Sequence, residues 1–443
     1  MEHAQSPLIS IIVTVYNLEG YIAQCLESLA AQREADFEAV LVDNGSTDRS
    51  VAICRDYARR CPGRIRLLEL PAPGWLYRAH RAGLIEAKGA FVQFIDGDDY
   101  LEPDYLARAC EILRARDPDV LMGRFTCFTQ NQGLPYRDAE LDREALEGSG
   151  PEAAIAYLRT VPAFHLAYWR YLFRRSLAGD DLFASSLPEN RSFPLLDALV
   201  TTRILFAAGS FALLEAPFYH YRSREDSTSS AARKKVLWNA QGWIEFLLFL
   251  KQGSYQGGRR LFVLDKLYQE LKLMLGSFDA WDDRDWSAVA SQFSKVGDCG
   301  CLLREDVPEF LRRFGAFLSA GPVDAAGLKG WFRSVRQDIL GRVGRVRPAN
   351  LFVFPAGRYA RHVHGWLISE GYLGVSFLDN NREMAGREIQ GARCLHPSEL
   401  EAMPAEEKEK SLVLIATIYT ELDKELKNQC RALGLAPARV LIV

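Results

Sequence analysis

Apolar and polar positions alternate in blocks through residues 1–130. Ile9–Val15 is an unbroken, largely β-branched run, the pattern of a strand covered on both faces. Tyr21–Gln32 follows with Ile22, Cys25, Leu26 and Leu29 at helical spacing. A second strand over Phe37–Val42 runs into Asp43-Asn44-Gly45-Ser46-Thr47-Asp48, a turn that also caps the next helix. Ile65–Leu70 reads as a short strand, Ala79–Ala87 as a helix, and Phe91–Ile95 as a strand ending on Asp96-Gly97-Asp98-Asp99. Repeated strand–helix units predict a mostly parallel α/β sheet with helices on both faces. In such sheets ligands bind beyond the carboxyl ends of the strands, where both polar clusters fall.

Beyond Pro151 the pattern is mixed. Helical signals surround Trp169–Arg174, and an aromatic β segment runs from Phe211 to Tyr221. Residues 231–344 read as almost wholly helical, with amphipathic runs at Val236–Leu250 and Phe262–Leu275. From Asn350 strand–helix alternation returns: Leu351–Phe354, a helix to about Gly371, Leu373–Leu378, Leu412–Ala416 and a last strand at Val440–Val443. The expected organisation is a first α/β domain over 1–230, a helical region or linker over 231–347, and a small α/β domain over 348–443.

Composition narrows the partners. The 443-residue chain carries a net charge of −3, which argues against non-specific nucleic-acid binding. Met1–Pro7 has neither a basic nor an apolar signal region. The apolar stretches Phe246–Leu250 and Leu412–Ile418 fall far below the ~18 residues of a membrane span. A soluble, cytoplasmic protein is expected. The nine cysteines are odd in number and irregularly spaced, with Cys299 and Cys301 forming a lone Cys-x-Cys, so they read as reduced packing thiols. Lys329–Arg347 is a basic stretch holding Trp331 and Phe332. It reads either as a solvated helical linker or as a helix resting on an anionic membrane surface.

The acidic turn carries the clearest chemistry. A glycine-loosened turn at a strand end can aim two carboxylates, one residue apart, at a single ion. Hard ions such as Mg2+ and Mn2+ prefer such oxygens. The plainer reading is an acidic loop capping the helix that starts near Pro103 and Asp104.

As a spaced set, Ile9–Asn17, Val42–Asp48, Glu86-Ala87-Lys88-Gly89 and Phe94–Asp99 resemble the family 2 glycosyltransferases of the GT-A fold, over roughly Pro7–Arg222. The resemblance implies transfer of a sugar from a nucleotide-diphosphate donor, UDP- or dTDP-linked by preference, to a hydroxyl of a bacterial glycan, glycolipid or glycoprotein. It implies that Thr14, Tyr16 and Asn17 line a nucleotide loop and that Asp43 accepts a hydrogen bond from the base. Asp96 would meet ribose or metal, and Asp98 would be the main ligand of Mn2+ or Mg2+. Two departures stand out: Asn44 replaces the second aspartate of the turn, and Ala79-His80-Arg81 replaces the family's Ala-Arg-Asn. Arg78 or Arg81 then either pairs with diphosphate oxygens or is a solvated helix residue.

The family's Glu-Asp pair at a helix start reads here as Leu196-Asp197. Asp197 is therefore the candidate general base, with Glu189 in reserve; as a helix-start aspartate it would also suit the dipole. Phe218-Tyr219-His220-Tyr221-Arg222 resembles the family's Tyr-Tyr-Tyr-Arg segment, so Arg222 and His220 are candidates to reach diphosphate or metal. Trp169 is a candidate acceptor floor or simply a packed core residue.

The last domain resembles small Rossmann-like sugar-nucleotide or dinucleotide-binding modules. Its loop reads Pro355-Ala356-Gly357-Arg358-Tyr359-Ala360, where two of the expected glycines are missing. Lost or altered cofactor binding follows, with a role in assembly or acceptor positioning and Asp379 as the residue to test. The second reading of the whole chain is a catalytically degenerate scaffold in a polysaccharide assembly complex. Peripheral contact with the inner membrane surface and homo-oligomerisation stay open.

Overall fold

Seven consecutive buried positions make β1 (Ile9–Val15) the centre of the first sheet. The computed structural model describes residues 6–34, 36–71, 74, 76–128, 136–137, 152, 155, 167–179, 182–183, 196–224, 257–297 and 299–443. After β1 come α1 (Ile22–Ala30), β2 (Phe37–Asp43), α2 (Ser50–Arg60), β3 (Ile65–Glu69), α3 (Leu76–Glu86) and β4 (Phe91–Asp96). The chain lays β2 and then β3 to one side of β1 and returns to place β4 on the other, all parallel. This reversal is a topological switch point, the place where open α/β sheets bind ligands. The register fixes what sits there: Thr14 pairs with Asp96, and Val15 with Asp43.

The other half of the sheet is mixed. It holds β5 (Tyr100–Leu101), β6 (Val120–Phe128), β7 (Tyr136–Arg137), β8 (Tyr171–Arg174) and β9 (Phe211–Arg222). Helix α4 (Tyr105–Arg116) precedes β6, and α5 (Leu196–Ala207) precedes β9. β8 runs antiparallel between β4 and β6, while β9 runs parallel to β6 with a register shift between Gly123 and Phe125. The helical signal around Trp169–Arg174 resolves into a short 3-10 turn, Tyr168–Arg170, followed by strand β8. Its Tyr171, Leu172 and Phe173 are almost wholly buried, and burial between two strands overrides local propensity.

The chain divides into two compact units, Met1–Trp238 with Gly257–Arg259 and Asn239–Gln256 with Arg260–Val443. The second unit joins helices and sheet: α6 (Gly257–Ser277, almost all of it in this unit), α7 (Asp283–Val296), α8 (Glu309–Ser319) and α9 (Ala325–Val346) lead into β10 (Asn350–Phe354). Then follow α10 (Arg358–Ser369), β11 (Val375–Leu378), β12 (Glu388–Ile389) and β13 (Ala392–Leu395). The chain ends with α11 (Pro397–Glu401), α12 (Ala405–Lys410), β14 (Ser411–Ile415), α13 (Thr420–Ala432) and β15 (Val440–Ile442). The strand order is β12-β13-β11-β10-β14-β15, parallel except at β12. Phe352, Phe354, Leu378, Val413, Ile415 and Leu426 head its core.

The predicted run Phe262–Leu275 lies within α6, whereas Val236–Leu250 lies outside the described residues. On α9, the half-buried Trp331 ring packs tilted or edge-on against Phe310, Phe314, Phe317 and Phe332. Arg336 pairs with Asp279, and Arg313 of α8 pairs with Asp338. Among the described residues, no helix is long and apolar enough to cross a membrane.

Candidate functional site at the carboxyl edge of the first sheet

Two loops clasp each other where β1 and β2 end. Asp43 is 3% exposed and accepts hydrogen bonds from the amides of Gly45 (3.0 Å) and Ser46 (3.2 Å), a turn that Gly45 permits with φ +82°. Asn17, itself left-handed at φ +51°, accepts from the Thr47 amide at 2.8 Å and donates its own amide to Ser46 Oγ at 3.0 Å. Asp48 accepts from the amides of Glu19 and Ser50, so it stitches the loops together. Thr14 is buried at the end of β1, and Tyr16 is half exposed at the rim.

Asn44 exchanges two hydrogen bonds with Gly74, its Nδ2 donating to the carbonyl at 2.6 Å and its Oδ1 accepting from the amide at 3.2 Å. The amide side chain suits this clasp because it supplies both a donor and an acceptor, which a carboxylate does not. A Cβ on Gly74 would meet the Arg78 side chain at 2.9 Å, so Arg78 lies beside the clasp. Arg78 and Arg81 both stand exposed on α3. His80 between them points inward, 1% exposed. Its Nδ1 lies 2.9 Å from the Leu76 carbonyl, and its ring packs edge-on against Phe94 and Tyr168. Burial holds its pKa down to about 4.

The acidic turn follows β4. Gly97 is required by a close approach: a Cβ there would sit 2.9 Å from both the Thr14 carbonyl and Leu18. Asp96, Asp98 and Asp99 each offer a carboxylate oxygen, all within 4.8 Å of one another. Tyr168 donates to Asp96 at 3.0 Å. Asp99 is buried and accepts from the Tyr219 hydroxyl (2.6 Å) and the Arg222 amide (2.7 Å). Asp98 pairs with Arg224, Nε to Oδ2, at 2.8 Å.

Burial first, and then the charge of Asp98, pushes the Asp96 carboxyl up to about 7. Asp99 is raised by burial and then by the charges of Asp98 and Asp96. Such mutual repulsion is what a cation would relieve. The donor set is all hard oxygen, the chemistry that a small divalent ion prefers. These residues fit Mg2+ or Mn2+, with Asp99 held as a support behind Asp96 and Asp98.

The remaining candidates have other partners. The expectation that His220 is a metal ligand is corrected: its ring nitrogens lie 2.8 Å from Thr126 Oγ1 and 2.6 Å from Glu102 Oε1, and its ring stacks on Tyr100. Arg222 is spent on structure, with Nε donating to the Asp98 carbonyl at 2.7 Å, Nη2 bonded to Gln24, and the guanidinium over Phe128. Trp169 is 3% exposed and stacks on Tyr219 and Tyr221, which leaves no broad ring face for a sugar. Asp197 lies in the first turn of α5, with its side chain outside the description, and Glu189 lies outside the described residues. Sequence reasoning missed Arg224, whose signal was an arginine two positions past Arg222.

At the carboxyl edge of the second sheet, Asp379 accepts from the amides of Ala356 (3.1 Å) and Asn381 (2.9 Å). The α6 side chains bond to the first turn of α13: Tyr268 donates to Asp423 (2.6 Å) and Thr420 donates to Asp265 (2.6 Å). Lys272, 2% exposed, donates to the Val443 carbonyl, and burial lowers its pKa to about 8.

The first unit is thus a GT-A-type α/β fold with an acidic turn at its switch point. The sequence profile described as "Glycosyl transferase family 2" matches residues 10–179, so the chain carries a domain of that family. It is 34% identical to the uncharacterized glycosyltransferase EpsJ of Bacillus subtilis over 173 residues, 39% of this chain and 49% of EpsJ. It is 27% identical to the poly(ribitol-phosphate) beta-N-acetylglucosaminyltransferase TarS of Staphylococcus aureus over 326 residues, 71% of this chain and 50% of TarS. The chain therefore spans about half the length of these relatives. Its fold is similar to the crystal structure of S. aureus TarS 1–349 in complex with UDP-GlcNAc. The TM-score is 0.53 at 20% identity, covering 74% of this chain and 92% of that one.

Proposed function

We propose that this protein is a metal-dependent, inverting glycosyltransferase that moves a sugar from a nucleotide-diphosphate donor to a hydroxyl of a bacterial glycan, glycolipid or glycoprotein. The carrying observation is the strand register that sets Asp43, Thr14 and the Asp96–Asp99 turn along one carboxyl edge at the switch point. Asp43, rigid in its turn, accepts from a base N–H, which suits uracil or thymine. Thr14, Tyr16 and Asn17 form the wall of the nucleotide loop. Asp98, with Asp96, would hold Mn2+ or Mg2+, whose charge would offset that of the departing diphosphate, and Asp96 would also meet the ribose. Arg78, exposed beside the clasp, and Arg81, exposed on the same helix, are the cations that would meet diphosphate oxygens. Asp197 removes the acceptor proton. The named activity of TarS and its complex with UDP-GlcNAc favour a UDP-linked N-acetylhexosamine among the donors to test first.

A donor panel tests the reading. UDP-, dTDP- and GDP-sugars are incubated with the protein, Mn2+ and a mixture of hydroxyl acceptors (bacterial glycans, glycolipids and glycopeptides), and release of nucleoside diphosphate is followed by chromatography. Release from one nucleotide class, abolished in Asp98→Ala and strongly reduced in Asp197→Asn, is the expected result; no release from any donor contradicts it. The scaffold reading draws on Leu196 in place of an acid and on the second unit, whose strand edge is filled by its own α6 side chains. For that unit a role in assembly or acceptor positioning fits better than cofactor binding. Contact with the inner membrane surface has only the exposed arginines of α9, such as Arg333 and Arg345, to draw on.

A further inference from the structure

At the acidic turn each carboxylate has its own keeper. Asp99 is held by Tyr219 and the Arg222 amide, Asp96 by Tyr168, and Asp98 Oδ2 by the Arg224 guanidinium at 2.8 Å. The Arg224–Asp98 pair is largely sheltered, with 20% and 14% of the two side chains exposed. The guanidinium of its neighbour Arg222 bonds the Asp98 carbonyl and Gln24 instead of a carboxylate of the turn. Both arginines lie against the Tyr21 ring, at 5.1 and 5.0 Å.

We propose that Arg224 is a built-in competitor for the cation at Asp98, so that a divalent ion takes this carboxylate only by displacing the guanidinium. The inference rests on the metal-dependent reading above. A divalent ion on Asp98 and a guanidinium on the same oxygen would stand within ~4 Å, where like charges repel strongly in a sheltered site. The arginine has somewhere to go, because the face of Tyr21 already carries part of its cation–π attraction and its stem is long and rotatable. The consequence is thermodynamic coupling. A polyanionic ligand that holds the ion and the displaced guanidinium together removes the repulsion, so a nucleoside diphosphate and the metal raise each other's affinity.

The test is calorimetric titration of Mn2+ without nucleotide into the full chain, on wild type, Arg224→Gln and Arg224→Lys, repeated with UDP present. Arg224→Gln is expected to bind Mn2+ roughly three- to tenfold more tightly than wild type, with Arg224→Lys between them. Mn2+ should raise the Tm of Arg224→Gln more than that of wild type, and UDP should sharpen Mn2+ binding more in wild type. Equal or weaker Mn2+ affinity in a folded Arg224→Gln overturns the competition and leaves the metal reading standing. If the circular dichroism of Arg224→Gln departs from wild type, the lysine variant decides, tighter binding supporting the proposal and equal or weaker binding overturning it. No Mn2+ binding by any of the proteins overturns both.

Discussion

Both sheets reverse their strand order beside a central strand, at β1 and β4 in the first unit and at β10 and β14 in the second, yet they treat that edge in opposite ways. In the first, the strand ends present three carboxylates in one cluster, whose repulsion is partly answered by Arg224 and two tyrosines. In the second, the edge is closed by the protein itself, with Tyr268, Asp265 and Lys272 of α6 bonded to Asp423, Thr420 and the Val443 carbonyl. Asp379 spends its oxygens on the amides of Ala356 and Asn381. A switch point is therefore an opportunity for a ligand, not a guarantee of one. What decides is whether like charges gathered at the strand ends are balanced within the chain: the acidic turn crowds three carboxylates together, whereas Asp379 stands in a turn of its own.

This contrast can be broken in several ways. The largest effect is expected at Asp98: Asp98→Ala should lower donor turnover roughly a thousandfold, because a metal ion supplies several kcal/mol of charge stabilisation to a departing diphosphate. Steady-state release of nucleoside diphosphate measures it, and a tenfold loss or less would place the charge stabilisation elsewhere. In the second unit, Asp423→Ala should cost about 3 kcal/mol of stability by stranding the buried Tyr268 hydroxyl and removing the carboxylate that faces Lys272. Chemical denaturation reads that loss, while nucleotide affinity should stay as in wild type; a matching fall in affinity would unite the two edges.

A smaller effect is pH-dependent. His80 is neutral in the fold, with its pKa held at about 4 by burial, whereas the unfolded chain takes up the proton near ~6.5. Stability is then full above ~6.5 and falls as the pH drops toward 4, by about 2 kcal/mol between pH 7 and pH 5. Denaturation curves of wild type and His80→Phe should diverge across that window; parallel pH profiles would remove His80 from the account. The smallest effect is expected on the second unit's loop. Asp379→Ala should cost about 1 kcal/mol through two lost amide bonds. NAD(H) titration by fluorescence should show no saturable binding in either protein, and a saturable signal lost in the variant would reopen that edge.

The parallel half of the first sheet was legible because β1, β2 and β4 are runs buried on both faces, a pattern that outlasts any tertiary detail. β6 escaped, its run broken by Gly123 and Arg124, and so did the four-residue β8; both are strands because their neighbours are. The acidic turn was legible for the same reason as the strand before it. The work of His220 was not. Its partners Glu102 and Thr126 are brought in by β5 and β6, which pair Tyr100 and Thr126 with His220 across long sequence separations. Trp169 was open to two readings until Tyr219 and Tyr221 closed over it. Buried Ser10 and Glu38 also went unmarked, though they bond the amides of Gly89 and Lys88 and so fix the approach to β4 from its far end.

The most direct test of the central claim is calorimetric titration of UDP, then dTDP and GDP, with and without Mn2+, into wild type and Asp98→Ala. The account predicts saturable binding of one nucleotide that requires Mn2+ and is lost in the variant. Equal binding with and without Mn2+, or binding that survives Asp98→Ala, would contradict it and return the Asp96–Asp99 turn to a purely structural part.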